Sequence, residues 1–143
     1  MFTGEYRHSV DAKGRLAVPA RFRARLQDGA FVSLWLDSCL AIWTRDAWEQ
    51  LAGKLAALPT VENAGARAFS RYVSASTVEM EFDAQGRFVL PAHLRAAAGL
   101  EAEAVIVGTL DHAEIWAPAR WDDYRRALEE PEALAAHLAG LGI

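Results

Sequence analysis

The chain has 143 residues, 52% of them hydrophobic, and a formal net charge of −4. That length fits one domain or two small halves sharing a core, and the apolar content excludes a disordered chain. No apolar run approaches the roughly 20 residues of a membrane span. The N-terminus lacks the charged and apolar regions of a secretion signal, and the single cysteine, Cys39, fits a reducing cytoplasm.

Residues 2–10 alternate, with Phe2, Tyr6, His8 and Val10 on one face and Thr3, Glu5, Arg7 and Ser9 on the other, which predicts a half-buried strand. The segment Asp11-Ala12-Lys13-Gly14-Arg15 then predicts a turn, since Asp bonds backbone two residues on and Gly supplies positive φ. Arg15 is expected to project from this turn, wet and free. Leu16-Ala17-Val18 predicts a short strand, and Pro19 the start of a short helix. Residues 31–36 and 40–43 predict a hairpin. Thr44 is placed to cap a helix carrying Trp48, Leu51, Leu55 and Leu58 on one stripe. A linker helix is predicted over residues 60–73.

The turn then returns. Asp83-Ala84-Gln85-Gly86-Arg87-Phe88-Val89-Leu90-Pro91-Ala92-His93-Leu94-Arg95 matches residues 11–23 at seven of 13 positions, at a constant offset of 72. Val78, Met80 and Phe82 alternate before it as a strand does. After it, residues 105–111 match residues 31–37, Ile115-Trp116 match Ile42-Trp43, and Trp121 matches Trp48. The chain is therefore an internal duplication. It divides into a first repeat with its following helix (1–59), the linker helix (60–73), a second repeat (74–128) and a C-terminal helix (129–143). Pro118 opens a helix with Trp121, Tyr124 and Leu128, and Pro131 opens the last, with Leu134, Leu138 and Leu141.

Charge is uneven. Residues 1–25 hold six cations against two anions, and residues 111–143 hold three against seven. A local basic field is compatible with nucleic acid whatever the total. The residues supply no metal-ligand spacing among His8, Cys39, His93, His112 and His137, and no convergent acid, base and nucleophile, so neither a cofactor nor an enzyme is expected. Asp11 and Asp83 are read as turn formers. Arg21, Arg23 and Arg25 are read as polar positions of a short helix.

The paired Asp-x-(Lys/Gln)-Gly-Arg-x-x-x-Pro-Ala units resemble the MraZ family of bacterial transcriptional regulators. Tyr6-Arg7-His8-Ser9 before the first unit and Ala98-Gly99-Leu100 after the second add to the likeness, which covers roughly residues 1–128. It implies an α+β fold of two tandem SpoVT/AbrB-like swapped-hairpin β-barrel halves with peripheral helices. It also implies double-stranded DNA as partner, read through short direct repeats in the promoter of the division and cell-wall gene cluster. DNA contacts are associated with basic residues of the two motifs, here Lys13, Arg15 and Arg87; Arg7, on the polar face of the first strand, is added as a candidate. Gln85 stands where the first motif has Lys13. The family also implies a ring-shaped homo-oligomer of about eight protomers, cytoplasmic and associated with the nucleoid, with no membrane and no small-molecule substrate. The alternative function is an antitoxin-like or scaffold protein that binds a protein partner.

Overall fold

The strand-like alternation and the Pro- and Thr-marked helix starts are realised in the computed structural model, which describes residues 1–143. In chain order, β1 (Glu5–Ser9), β2 (Arg15–Ala17) and α1 (Ala20–Arg25) precede a hairpin of β3 (Ala30–Leu34) and β4 (Leu40–Thr44), followed by α2 (Arg45–Ala56). After α3 (Ala64–Ser76), the series repeats as β5 (Val78–Met80), β6 (Arg87–Val89), α4 (Ala92–Ala98), β7 (Glu103–Gly108), β8 (His112–Trp116) and α5 (Pro118–Glu129). A last helix, α6 (Pro131–Leu138), has no counterpart in the first half.

Local signals act where the residues placed them. The Thr44 hydroxyl accepts the Ala47 N–H at 3.1 Å and starts α2. Gly99, at φ 67°, ends α4. The linker helix is displaced from its expected span. Asn63, whose side chain accepts the Ala66 N–H at 2.9 Å, starts it at Ala64, and it runs on to Ser76. Residues 60–63 form a turn instead, tied down by Arg67 donating to the Thr60 carbonyl at 2.8 Å.

Six of the eight strands form one antiparallel sheet in the order β1-β7-β8-β4-β3-β5. The first strand of each half pairs with the hairpin of the other: Tyr6 lies opposite Ile106, and Ala30 opposite Met80. The hairpins meet at the centre through β4 and β8, with Leu40 opposite Ile115. The remaining strands, β2 and β6, leave the sheet and form a separate two-stranded ribbon. This is an α+β architecture, but it contains no closed barrel. Closure needs two ladder partners for every strand, and β1 and β5 each have one, so they stand as the sheet's edges.

The sheet has two different faces. On one, Leu16 and Phe88 of the ribbon, Phe22 of α1 and Leu94 of α4 pack over Ile42 and Ile106 in the main core. On the other face lie all five tryptophans. Trp48 of α2 packs beside Phe31 with ring centroids 5.9 Å apart, and Trp121 of α5 beside Trp116 at 5.3 Å. Each hairpin is thus covered by the helix that follows it, as the matched Trp positions imply, and the ribbon is left on the opposite side.

Candidate nucleic-acid interface

The two repeated turns share one construction. In the first, Gly14 N–H donates to the Asp11 carbonyl at 2.9 Å, while the Asp11 carboxylate accepts the backbone N–H groups of Lys13 and Arg15, each at 2.9 Å. In the second, Gly86 donates to the Asp83 carbonyl at 3.0 Å, and Asp83 accepts from Gln85 and Arg87 at 2.9 and 3.0 Å. Both glycines have positive φ, 79° and 75°, a geometry that penalises any side chain. Asp11 and Asp83 are therefore turn formers, as their spacing predicts.

Each carboxylate does a second job. Arg15 Nε donates to Asp11 Oδ2 at 2.5 Å, and Arg87 Nε to Asp83 Oδ2 at 3.2 Å. The expectation of a free guanidinium is corrected here: four residues separate each Asp from its Arg, and the turn folds them together. The bond occupies Nε and leaves the terminal nitrogens of Arg15 for a ligand. A cation already held in one orientation loses less entropy on binding.

The β2–β6 ribbon brings the two turns side by side. Leu16 faces Phe88 and both point into the core, so Arg15, Ala17, Arg87 and Val89 point outward. Ala17 lies opposite Arg87, and Arg15 opposite Val89. Arg87 Nη1 comes within 3.9 Å of Asp11 Oδ2, so the two motif arginines converge on one carboxylate. Lys13 is exposed at the turn tip, with no bond to its side chain. Three of the four predicted site residues, Lys13, Arg15 and Arg87, thus form one surface.

Arg7 is not brought to it. It lies on the tryptophan side of the sheet, opposite Val105, and its guanidinium donates to Asp122 of α5 at 2.8 Å. The surplus of cations in residues 1–25 is also dispersed. Arg21 donates to the Thr3 carbonyl and lies 5.4 Å from the Tyr6 ring centre, and Arg25 lies 5.3 Å from that of Phe2. What the charge count passed over is the last residue of each repeated segment. Arg23 and Arg95 both reach the ribbon's turns, and their identity at matched positions was the available signal.

Hydrogen bonds from the partnered Arg backbone hold the carboxyls of Asp11 and Asp83 below their ordinary value. A depressed native value stabilises the fold above the unfolded carboxylate value, about 3.9, and is lost as pH falls through the native one. We expect an acid limb of unfolding below about pH 4 that is shallower in the Asp11→Asn/Asp83→Asn double variant. Thermal melts at stepped pH check this, and an unchanged limb would contradict it.

Other chemistry-bearing groups are accounted for differently. Cys39 is buried, its Sγ donates to the Leu36 carbonyl at 3.1 Å, and burial pushes its thiol far above the ordinary range, so it is held as the unreactive thiol. A cleft of about 720 Å³ between α1 and the second turn has no hydroxyl, thiol or imidazole in its lining. No helix is long and apolar enough to cross a membrane.

The chain is thus a duplicated α+β fold that presents two matched basic turns on one short ribbon. Comparison with known proteins gives its lineage. The family model described as "MraZ protein, putative antitoxin-like" matches residues 1–72 and 74–139. A transcriptional regulator MraZ of Desulfitobacterium hafniense (strain Y51) is 47% identical over a 144-residue alignment covering all of both chains. The proteins of the same name from Thermomicrobium roseum and Halothermothrix orenii are 43% and 41% identical, over 99% and 100% of both chains. The chain belongs to the MraZ family.

Proposed function

We propose that this protein is a transcriptional regulator that binds double-stranded DNA through the outer face of the β2–β6 ribbon. The observation that carries the reading is the placement of Arg15 and Arg87 on that face, with Lys13 at its rim. A two-stranded ribbon fits the major groove, where Arg reads guanine, and Lys at the rim meets phosphate. The relatives' shared name, transcriptional regulator, supports the regulatory role. The family resemblance adds the target: short direct repeats in the promoter of the division and cell-wall gene cluster. The protein then works in the cytoplasm at the nucleoid. The exchange of first strands between halves supports the swapped-hairpin reading of the fold.

One protomer with net charge −4 presents few cations, and affinity is expected to come from several protomers on one DNA. The exposed hairpin tips support assembly into a ring, for which the family resemblance implies about eight protomers. Leu36 and Leu110 occupy matched positions and are 51% and 59% exposed. They lie at opposite ends of the sheet, because β4 and β8 run antiparallel. Contact between unlike ends of successive protomers is the head-to-tail geometry that closes rings.

A gel shift comparing the DNA upstream of the protein's own gene cluster with unrelated DNA of equal length tests the proposal. A shift confined to the upstream fragment is expected; none at low salt would overturn it. The second reading, binding of a protein partner, rests on the family's antitoxin-like description and on the exposed Leu134, Leu138 and Leu141 at the C-terminus. Co-purification of a toxin-like protein without DNA affinity would favour it.

A further inference from the structure

Arg23 and Arg95 are the final residues of the two repeated segments, on α1 and α4. Both are half-buried. No hydrogen bond or ion pair engages either guanidinium, which is unusual for half-buried cations and unlike Arg15 and Arg87, which are both bonded to carboxylates. Each lies across the turn of the other half. A methyl group built on Gly14 would collide with Arg95 Nη1 and meet its Cζ at 2.7 Å. One built on Gly86 would collide with Arg23 Nη1 and meet its Cζ at 2.5 Å. Both glycines are buried although they sit in turns, and these guanidinium groups lie against them. The crossing is reinforced at the first turn, where Leu90 of the second half donates its N–H to the Gly14 carbonyl at 2.9 Å.

We propose that each basic turn is completed by the opposite half, with Arg95 the positioning residue of the Lys13–Arg15 turn and Arg23 that of the Gln85–Arg87 turn. The planar guanidinium lies where any side chain on the glycine would stand. It keeps water from that face and holds the positive-φ conformation in which the Asp carboxylate reaches two N–H groups and the motif arginine together. The glycine is needed at each turn for two reasons: its φ, and the room it leaves for an arginine from across the pseudo-twofold. Each turn therefore depends on the opposite half, and a lesion in either helix appears in the other half's turn. The functional consequence rests on the ribbon being the DNA-binding face; the structural one does not.

Hydrogen exchange without DNA tests the structural part. In Arg95→Ala, amides of residues 11–17 are expected to exchange about tenfold faster while those of residues 83–89 are unchanged, and Arg23→Ala is expected to give the reverse. Arg95→Lys keeps the charge but not the planar group, and is expected to behave as Arg95→Ala. Faster exchange confined to the mutated half, no change in either turn, or full rescue by lysine would each overturn the proposal. Operator titrations test the functional part by double-mutant cycles. Lys13→Ala and Arg95→Ala are expected to couple by at least about threefold in affinity, and Lys13→Ala and Arg23→Ala to be additive. If the exchange results hold and no variant or wild-type protein binds DNA, the ribbon reading fails and the cross-half positioning stands. If all variants bind DNA as wild type does, Arg23 and Arg95 have no positioning role in binding.

Discussion

Arg15→Ala is expected to reduce operator binding below detection at moderate salt, and Arg87→Ala to weaken it less, with oligomeric mass unchanged in both. Arg15 stands on the outer face of the ribbon, answered by one carboxylate, and beside it Lys13 is unpaired. Arg87 is answered by Asp83 at 3.2 Å, lies 3.9 Å from Asp11, and has neutral Gln85 in place of a lysine. A good bidentate Arg–base pair is worth about 1–3 kcal/mol, and each lost phosphate contact lowers the salt slope by about 1. Because several protomers engage one DNA, a loss repeated in each is multiplied in the total. Arg7 adds nothing to this asymmetry, since Asp122 holds it on the other face of the sheet. Equal or greater loss in Arg87→Ala, with assembly intact, would show the halves reading DNA as equals.

The second large effect is on stability. Phe22→Ala is expected to cost about 3–5 kcal/mol, a large part of the 5–15 kcal/mol typical of a domain. Phe22 is 0% exposed and makes edge-to-face contacts with Phe2 and Tyr6, at centroid distances of 5.0 and 5.4 Å. It thereby fixes β1, which pairs with β7 of the other half. Loosening it should lower the midpoint of a single cooperative transition, with both halves melting together. Denaturant titration followed by fluorescence and by far-ultraviolet dichroism checks this. A cost under about 1 kcal/mol, or two separated transitions, would contradict the interlocked core.

The local grammar of the fold was legible because each signal acts within a few residues. Gly14 and Gly86 took the positive φ their turns need, Thr44 capped α2, Gly99 ended α4, and the repeat foretold matched hairpins under matched tryptophans. Partner choice was not legible. Alternation says which face of a strand is buried and not which strand lies beside it, so nothing in residues 5–9 announced β7 as their neighbour. The barrel was implied by the family resemblance alone, and no closed barrel forms because β1 and β5 each have a single ladder partner. Arg7 looked available because its acceptor, Asp122, is 115 residues away in the chain. Arg15 looked free because the Asp four residues earlier was read only as a turn former. The charge surplus of residues 1–25 misled as a measure of the site, since Arg21 and Arg25 turn back onto the aromatic N-terminal segment.

The central claim is that matched basic turns on one ribbon bind DNA, and one titration tests it most directly. Fluorescence anisotropy of the wild-type protein, with DNA carrying the upstream direct repeats and with shuffled DNA of equal length, would be followed across a series of salt concentrations. Tighter binding to the repeats is expected throughout, with log affinity falling linearly in log salt at a slope reflecting several phosphate contacts. Equal affinity for shuffled DNA at every salt concentration, or no binding to either at low salt, would contradict it.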